Sequence, residues 1–361
     1  MDVERVVAER VASGEVHGAG WLVDRGGSVS SGVAGIARSD SIFRISSVTK
    51  PVVGALAMAL VDDGALGLDD DVAGWLPELA DRRVLRTPDS PLDDTVPAER
   101  PVTVRDVLEF RLGIGMDFAG PFPGAVLGAL AERGLPVGPP SPQHAPPPDE
   151  WMRVLGSVPL AAQPGARWLY NTSAQVLGVL LARAGGRPLP ELLAARLLDP
   201  LGTADTGFHV PAGALSRLDR QWLGEDVYDE VDGQWSRPPA FPDAAAGLAS
   251  SVADLHAFAL MLRARGATVL SPQSVTAMTS AHVGAHDPEG REGWGLGLGV
   301  FLRDAPDGRH AGSFGWDGGL GQTWWTDPVT DTIAILLTTD AWTSPQPSPV
   351  FTDFWRAAFS S

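Results

Sequence analysis

The sequence predicts an α+β fold: an antiparallel sheet flanked by helices and built from both chain ends, with a mostly helical domain inserted between them. Three observations predict it. Strand-like runs separated by turn dipeptides cluster towards the two ends of the chain. Helical apolar periodicity dominates the middle. The 361 residues are too many for one small core, and no internal repeat divides them. The expected division is residues 1–70 with 245–361 as the α/β part and residues 71–244 as the mostly helical part.

The elements follow in order. Val3, Val6, Val7 and Val11 give residues 3–13 one apolar side, an amphipathic helix. Residues 17–36 read as a hairpin turning at Gly26-Gly27. A helix over 47–63 carries Val53, Leu56, Ala57 and Leu60 at helical spacing. Most intervening residues are apolar too, so this helix is expected to be buried all round, with Gly64 behind its end. Asp69-Asp70-Asp71 reads as a solvated loop, and residues 87–101 as another. Thr103 and Asp106 have the spacing of a capping box. Residues 119–149 are dense in Pro and Gly and read as an irregular rim over a pocket. Glu150–Leu160 and two stretches within 172–198 are helical, 203–243 is loop-like, and 251–265 is helical again. Strands are expected at Gly297–Leu302, Ala311–Phe314, Thr323–Thr326 and Thr332–Thr338, with turns at Asp307-Gly308, Gly318-Gly319 and Asp327-Pro328. A helix over 350–359 follows.

Composition limits the function. There are no cysteines, which removes disulfides, thiolate nucleophiles and Cys-bound metals. The net charge of −17 argues against nucleic acid and anionic membranes as partners. The opening Met1-Asp2-Val3-Glu4-Arg5 has neither the basic nor the apolar part of a signal peptide, and no apolar run is long enough to span a bilayer. The expectation is a cytoplasmic protein. His282 and His286 form an i, i+4 pair, but no third ligand accompanies them and no metal site is expected.

Chemistry concentrates at Ser46-Ser47-Val48-Thr49-Lys50-Pro51. Lys50 is the only lysine; the other basic residues are all arginine. Arginine keeps its proton in proteins, whereas a buried lysine gives it up readily. Pro51 fits only a first helical turn, so Ser46 or Ser47 stands at the helix start, where the helix dipole favours developing negative charge. A serine three residues before a lysine shares its face, the geometry of a nucleophile beside a base; read alone, it is equally a capped helix. Tyr170, one of two tyrosines, precedes a predicted helix start. It is either a proton relay with its phenol lowered by a cation such as Lys50, or a core tyrosine. Phe314-Gly315-Trp316-Asp317-Gly318-Gly319 packs glycines between two strands. Its N–H groups either complete an oxyanion hole with that of Ser47 or belong to a tight hairpin.

In this order, the three stretches resemble the class C β-lactamase-like serine hydrolases, a superfamily that includes D,D-peptidases, D-aminopeptidases and β-lactamase-fold esterases. Supporting stretches are Leu198–Phe208, similar to the family's Pro-Leu-Gly-Met-x-x-Thr segment, and Ala246–Leu255, similar to its Gly-Gly-Leu-x-Ser segment. The resemblance covers nearly the whole chain and implies a β-lactamase/transpeptidase-like fold. It also implies Ser47 as nucleophile, Lys50 as the group that helps deprotonate it, Tyr170 as general base, and the N–H groups of Ser47 and Gly319 as oxyanion donors. It implies no cofactor.

Three departures matter. Thr172 stands where many members have Asn, which bears on amide recognition. Trp316-Asp317-Gly318, or in another register Ser313-Phe314-Gly315, stands where β-lactamases have Lys-Thr-Gly, so the lysine that binds a β-lactam carboxylate is absent. Glu109-Phe110-Arg111-Leu112-Gly113 replaces a His-Thr-Ser-Gly-like segment. Trp316 in this position resembles the esterase branch. The expected activity is hydrolysis, through an acyl-enzyme, of small-molecule esters or amides that lack a recognised carboxylate. Alternatives are acyl transfer, D-aminopeptidase or weak β-lactamase action, and a non-catalytic sensor that forms at most a stable acyl adduct.

Overall fold

The computed structural model describes residues 2–344 and 346–360, so Met1 of the opening segment lies outside it. Seven strands form one antiparallel sheet: β1 (Gly18–Arg25), β2 (Ser28–Gly35), β3 (Glu292–Trp294), β4 (Gly299–Phe301), β5 (Phe314–Gly318), β6 (Gln322–Asp327) and β7 (Thr332–Thr338). Their order across the sheet is β2-β1-β7-β6-β5-β4-β3. The N-terminal hairpin therefore pairs with the last strand, with Ala19 opposite Thr338 and Arg25 opposite Thr332. Residues 71–244 contribute no strand to this sheet.

Period-two alternation along β7 divides the core. Ile333, Ile335 and Leu337 face one apolar cluster, which includes α2 (Thr49–Asp62) and Leu255 and Phe258 of α4 (Val252–Arg263). Ala334 and Leu336 face the other, with Val3, Val6 and Val7 of α1 (Val3–Ala12) and Val350, Phe351 and Phe354 of α5 (Pro349–Phe359). Helix α2 is buried on every side from Thr49 to Leu60, as its sequence predicts. Gly64, at φ +71°, follows its end. The capping box forms in both directions: Thr103 accepts from the Asp106 N–H, and the Asp106 carboxylate accepts from the Thr103 N–H.

Some elements differ from expectation. The strand expected at Ala311–Phe314 runs from Phe314 to Gly318, because Gly312 at φ +89° and a Ser313 N–H to His310 carbonyl bond make a turn of the preceding residues. The hairpin after it turns at Gly319–Gly321, one residue later than expected; Gly321 sits at φ +97°. The Pro-rich stretch is not wholly irregular, since it contains a helix, Gly124–Glu132. The loop at 87–101 contributes Thr95–Pro97, which pairs with Arg83–Leu85. β3 had no sequence signal: it is three residues long and contains a glycine. No helix among the described residues is long and apolar enough to cross a membrane.

Candidate active site

Ser47 sits in a 3₁₀ turn, Ser46–Val48, that leads directly into α2. Two ladders hold this turn. Phe43–Arg44 pairs with Ala249–Ser250, and the Ile45 N–H donates to the Leu248 carbonyl. On the other side, the Ser46 hydroxyl donates to Gln322 Oε1 at 3.1 Å and accepts the Leu320 N–H at 3.3 Å. Ser46 is held at φ +37°, a conformation uncommon outside glycine, and its clamp to the β5–β6 hairpin opposes that strain. Gly318 is glycine for the same reason. A Cβ there would lie 2.5 Å from Ser46 Oγ and 2.8 Å from the Ile45 carbonyl oxygen.

One helical turn after Ser47, Lys50 Nζ donates to Ser47 Oγ at 2.9 Å and to the Ala245 carbonyl at 2.8 Å. Its ammonium position lies 4.4 Å from the centre of the Tyr170 ring. Lys50 is 1% exposed. Burial pushes its amine down to about 7, against the attraction of Asp243. An amine in this range accepts a proton from a neighbouring hydroxyl at neutral pH.

Tyr170 is fixed at both levels. Its backbone exchanges N–H···O bonds with Met116, both at 2.8 Å. Its ring packs against Phe110 at 5.8 Å, Trp168 at 5.6 Å and Phe118 at 5.2 Å. Its hydroxyl accepts the Trp316 indole N–H at 2.8 Å and interacts with Ser47. Burial pushes the phenol up to about 12, only partly offset by the bonds to Ser47 and Trp316. Of the two sequence-based readings of Tyr170, a phenol lowered by a cation such as Lys50 or a core tyrosine with a bonded hydroxyl, the lowered phenol is not what the site shows. The lysine instead lies over the ring face, and desolvation outweighs any cation.

The remaining expected residues take different places. Gly319 lines the cavity in front of Ser47, where a Cβ would meet nothing within 4 Å. Trp316 does not line that cavity; it stands behind Tyr170, edge-on to Trp294 at 4.7 Å. Thr172 is buried as the first residue of α3 (Thr172–Gly185), and its neighbour Asn171, at φ +79°, lines the cavity instead. The register Trp316-Asp317-Gly318 is the one that runs along β5 beside the nucleophile turn. Glu109–Gly113 supports the site: Phe110, at φ +58°, packs on Trp294 at 4.5 Å as well as on Tyr170. His286 stacks on Trp168 at 4.1 Å, and His282 contacts the Ala277 carbonyl at 2.8 Å.

The cavity has a volume of about 250 Å³. Met116, Pro139, Pro140, Leu223, Leu320 and Trp342 supply apolar wall, and no Lys, Arg or His stands among its described lining residues. Arg44, close in sequence, is turned away; it is buried and paired with Asp229 at 2.6 Å. His310 is paired with Asp327 at 2.7 Å. Sequence reasoning missed Trp342, Asn171 and Asp243 as lining residues. Asn171 had a signal, since it is the residue immediately before a predicted helix; the other two stand in loops without periodicity.

Comparison with known proteins places this geometry. The Beta-lactamase family model matches residues 3–348. Protein Rv1367c of Mycobacterium tuberculosis is 36% identical over 325 residues, 82% of this chain and 77% of that protein. Esterase EstB of Burkholderia gladioli is 30% identical over 333 residues, 84% of this chain and 79% of that protein. Among solved structures, that of "EstCE1, a hydrolase with promiscuous acyltransferase activity" superposes with a TM-score of 0.82 at 24% identity, covering 99% of this chain and 97% of its own. Matched by the family model along nearly all its length, and by two relatives over more than four-fifths of it, the chain belongs to the beta-lactamase family of β-lactamase-fold hydrolases.

Proposed function

We propose that this hydrolase acts through an acyl-enzyme at Ser47 on small carboxylic esters whose acyl part is neutral. The observation that carries the reading is the 2.9 Å contact between Lys50 Nζ and Ser47 Oγ, made by a buried amine whose proton affinity is near neutrality. Ser47 Oγ attacks the acyl carbon while its proton passes to Lys50 Nζ. The carbonyl oxygen takes up negative charge facing the N–H groups of Ser47 and Gly319. Tyr170, protonated at neutral pH, donates to the departing alkoxide and is reprotonated from Lys50, so the proton of Ser47 ends on the alcohol. Water then cleaves the acyl-enzyme by the reverse sequence.

The substrate class follows from the wall. A cavity of about 250 Å³, walled largely by apolar side chains and with no cationic side chain among its described lining residues, accommodates a short acyl chain and offers a carboxylate no ion pair. The likeness to EstB, named an esterase, supports the same class. Amides of similar size are the nearest alternative substrates. Acyl transfer to a second alcohol uses the same acyl-enzyme, and EstCE1 is described as a hydrolase with that side activity. No nucleic acid, membrane or cofactor takes part in this reading.

Two measurements test it. A fluorophosphonate or an activated p-nitrophenyl ester is expected to modify Ser47, located by peptide mass spectrometry, and to leave Ser47→Ala unmodified. Equal labelling of the variant refutes the nucleophile. On one preparation, kcat/KM for p-nitrophenyl acetate or butyrate is expected to exceed that for nitrocefin; the reverse refutes the ester reading.

A further inference from the structure

Among its described lining residues the cavity that holds Ser47 and Tyr170 has one carboxylate, Asp243. The loop that bears it lies between Phe241 and Leu248 and makes no helix or strand. Asp243 Oδ1 accepts the Ala245 N–H at 2.8 Å, and the carbonyl of that same Ala245 accepts Lys50 Nζ at 2.8 Å. Carboxylate and amine are thus held by one residue's two backbone groups. The carboxylate also interacts with the Ala246 N–H and with Gln175 of α3, which fixes it from a second element. Gly247 permits the tight loop: a Cβ there would lie 2.7 Å from the Asp243 carbonyl oxygen. Asp243 forms part of the wall of two cavities, the one in front of Ser47 and a smaller one under the Pro-rich rim.

We infer that Asp243 is a positioning residue for the reaction: through the Ala245 backbone it fixes Lys50 Nζ against Ser47, and its charge balances the ammonium that forms when Lys50 takes the serine proton. The inference rests on the proposed roles of Ser47 and Lys50. No bond to Asp243 forms or breaks; the proton moves from Ser47 Oγ to Nζ, and the carboxylate opposite holds the resulting cation in a site without water-like solvation. Asp243 is the charged group whose attraction opposes the burial of Lys50; burial raises the proton affinity of Asp243 itself, and the Ala245 N–H and Lys50 oppose that rise. The other titratable group against the amine is Tyr170, which presents its ring face and stays protonated. The charge of Asp317, whose carboxylate accepts from Thr323 and Trp325, further favours the protonated phenol.

Because Lys50 is the only lysine, a protein carrying 13Cε-lysine and no lysine in its tag gives a single side-chain resonance to titrate. Asp243→Asn keeps an oxygen acceptor for the Ala245 N–H and deletes the charge. The titration midpoint of Lys50 is expected to fall by about one unit or more, since a buried ammonium loses its counter-charge. The acid limb of kcat/KM for p-nitrophenyl butyrate is expected to move down with it, and kcat to fall by roughly tenfold or more, at the low end of what a proton-transfer partner contributes. Should Asp243→Asn fail to fold, Asp243→Ser serves the same comparison, and refolded secondary structure is checked by circular dichroism. An unmoved Lys50 midpoint in a folded variant overturns the inference, even if activity drops, because a merely structural aspartate lowers activity without moving the titration. A wild-type protein that turns over no ester, yet shows the shifted midpoint, overturns the proposed function and leaves the Asp243–Lys50 coupling standing.

Discussion

The indole N–H of Trp316 reaches the hydroxyl of Tyr170 at 2.8 Å, so a tryptophan on a strand fixes the phenol from behind and leaves the other side of the oxygen to Ser47. Trp316→Phe keeps the ring packing against Trp294 and removes the donor. A neutral hydrogen bond is worth about 1 kcal/mol, so kcat is expected to fall by roughly fivefold with KM little changed. Steady-state kinetics on a p-nitrophenyl ester check this; a raised KM at constant kcat would place Trp316 in substrate binding instead.

Ester turnover is expected to rise with pH through about 7, where Lys50 loses its proton, and Tyr170 titrates too high to limit it from the alkaline side below about 10. Stability follows in the same direction. The folded value of Lys50 lies below its ordinary 10.5, so between about 7 and 10.5 the unfolded chain binds the extra proton and this group's contribution rises with pH. Below 7 the buried ammonium weighs fully against folding. Replacing it by an apolar side chain of similar length, Lys50→Met, is expected to raise the urea midpoint relative to wild type more at pH 6 than at pH 9, while abolishing turnover.

Lys50→Arg tests the requirement for a deprotonated amine. The guanidinium stays protonated and its planar fork does not fit a site with 1% exposure. Loss of about 10²- to 10⁴-fold in kcat/KM is expected, comparable to Lys50→Ala. Near-wild-type activity in the Arg variant would reduce Lys50 to a fixed positive charge.

Gly318 and Gly319 separate packing from access. At Gly318 an added methyl meets Ser46 Oγ at 2.5 Å and backbone at 2.8 Å, so Gly318→Ala is expected to cost about 1–3 kcal/mol and to distort the nucleophile turn. At Gly319 the methyl enters open space, and Gly319→Ala is expected to keep wild-type stability within about 0.5 kcal/mol. Denaturant unfolding of the two variants side by side checks the contrast.

The sheet and the helix behind the nucleophile were legible because each carries a local signal: strand-like runs bounded by turn dipeptides in the sheet, and helical spacing in α2. Lys50 was legible through composition, since no other lysine competes with it. The support around Tyr170 was not. Phe110, Trp168, Trp294 and Trp316 meet from four separate stretches, and stacking between distant aromatic rings leaves no spacing in a sequence. The same holds for the direction of Tyr170's proton affinity. Proximity to Lys50 was readable, but the desolvation that outweighs it depends on how completely the ring is enclosed. Asp243 left no trace either: a lone aspartate after Phe241-Pro242 reads as a turn, and only the folded loop brings its carboxylate to the lysine through Ala245. Helix Gly124–Glu132 was hidden by the Pro and Gly on both sides of it.

The pairing of Ala19 with Thr338 has a consequence for how the molecule comes into being. On a ribosome the N-terminal hairpin emerges first, with one edge of β1 waiting for a strand that is synthesised near the other end. Ser47 meets the same delay, because the clamp on Ser46 comes from Leu320 and Gln322. Contacts this distant in sequence slow folding, since loop closure precedes any gain from pairing. The nascent chain therefore carries its serine and lysine for most of synthesis without a working arrangement around them. A product truncated before β6 is expected to be both inert towards esters and prone to associate through its open strand edge.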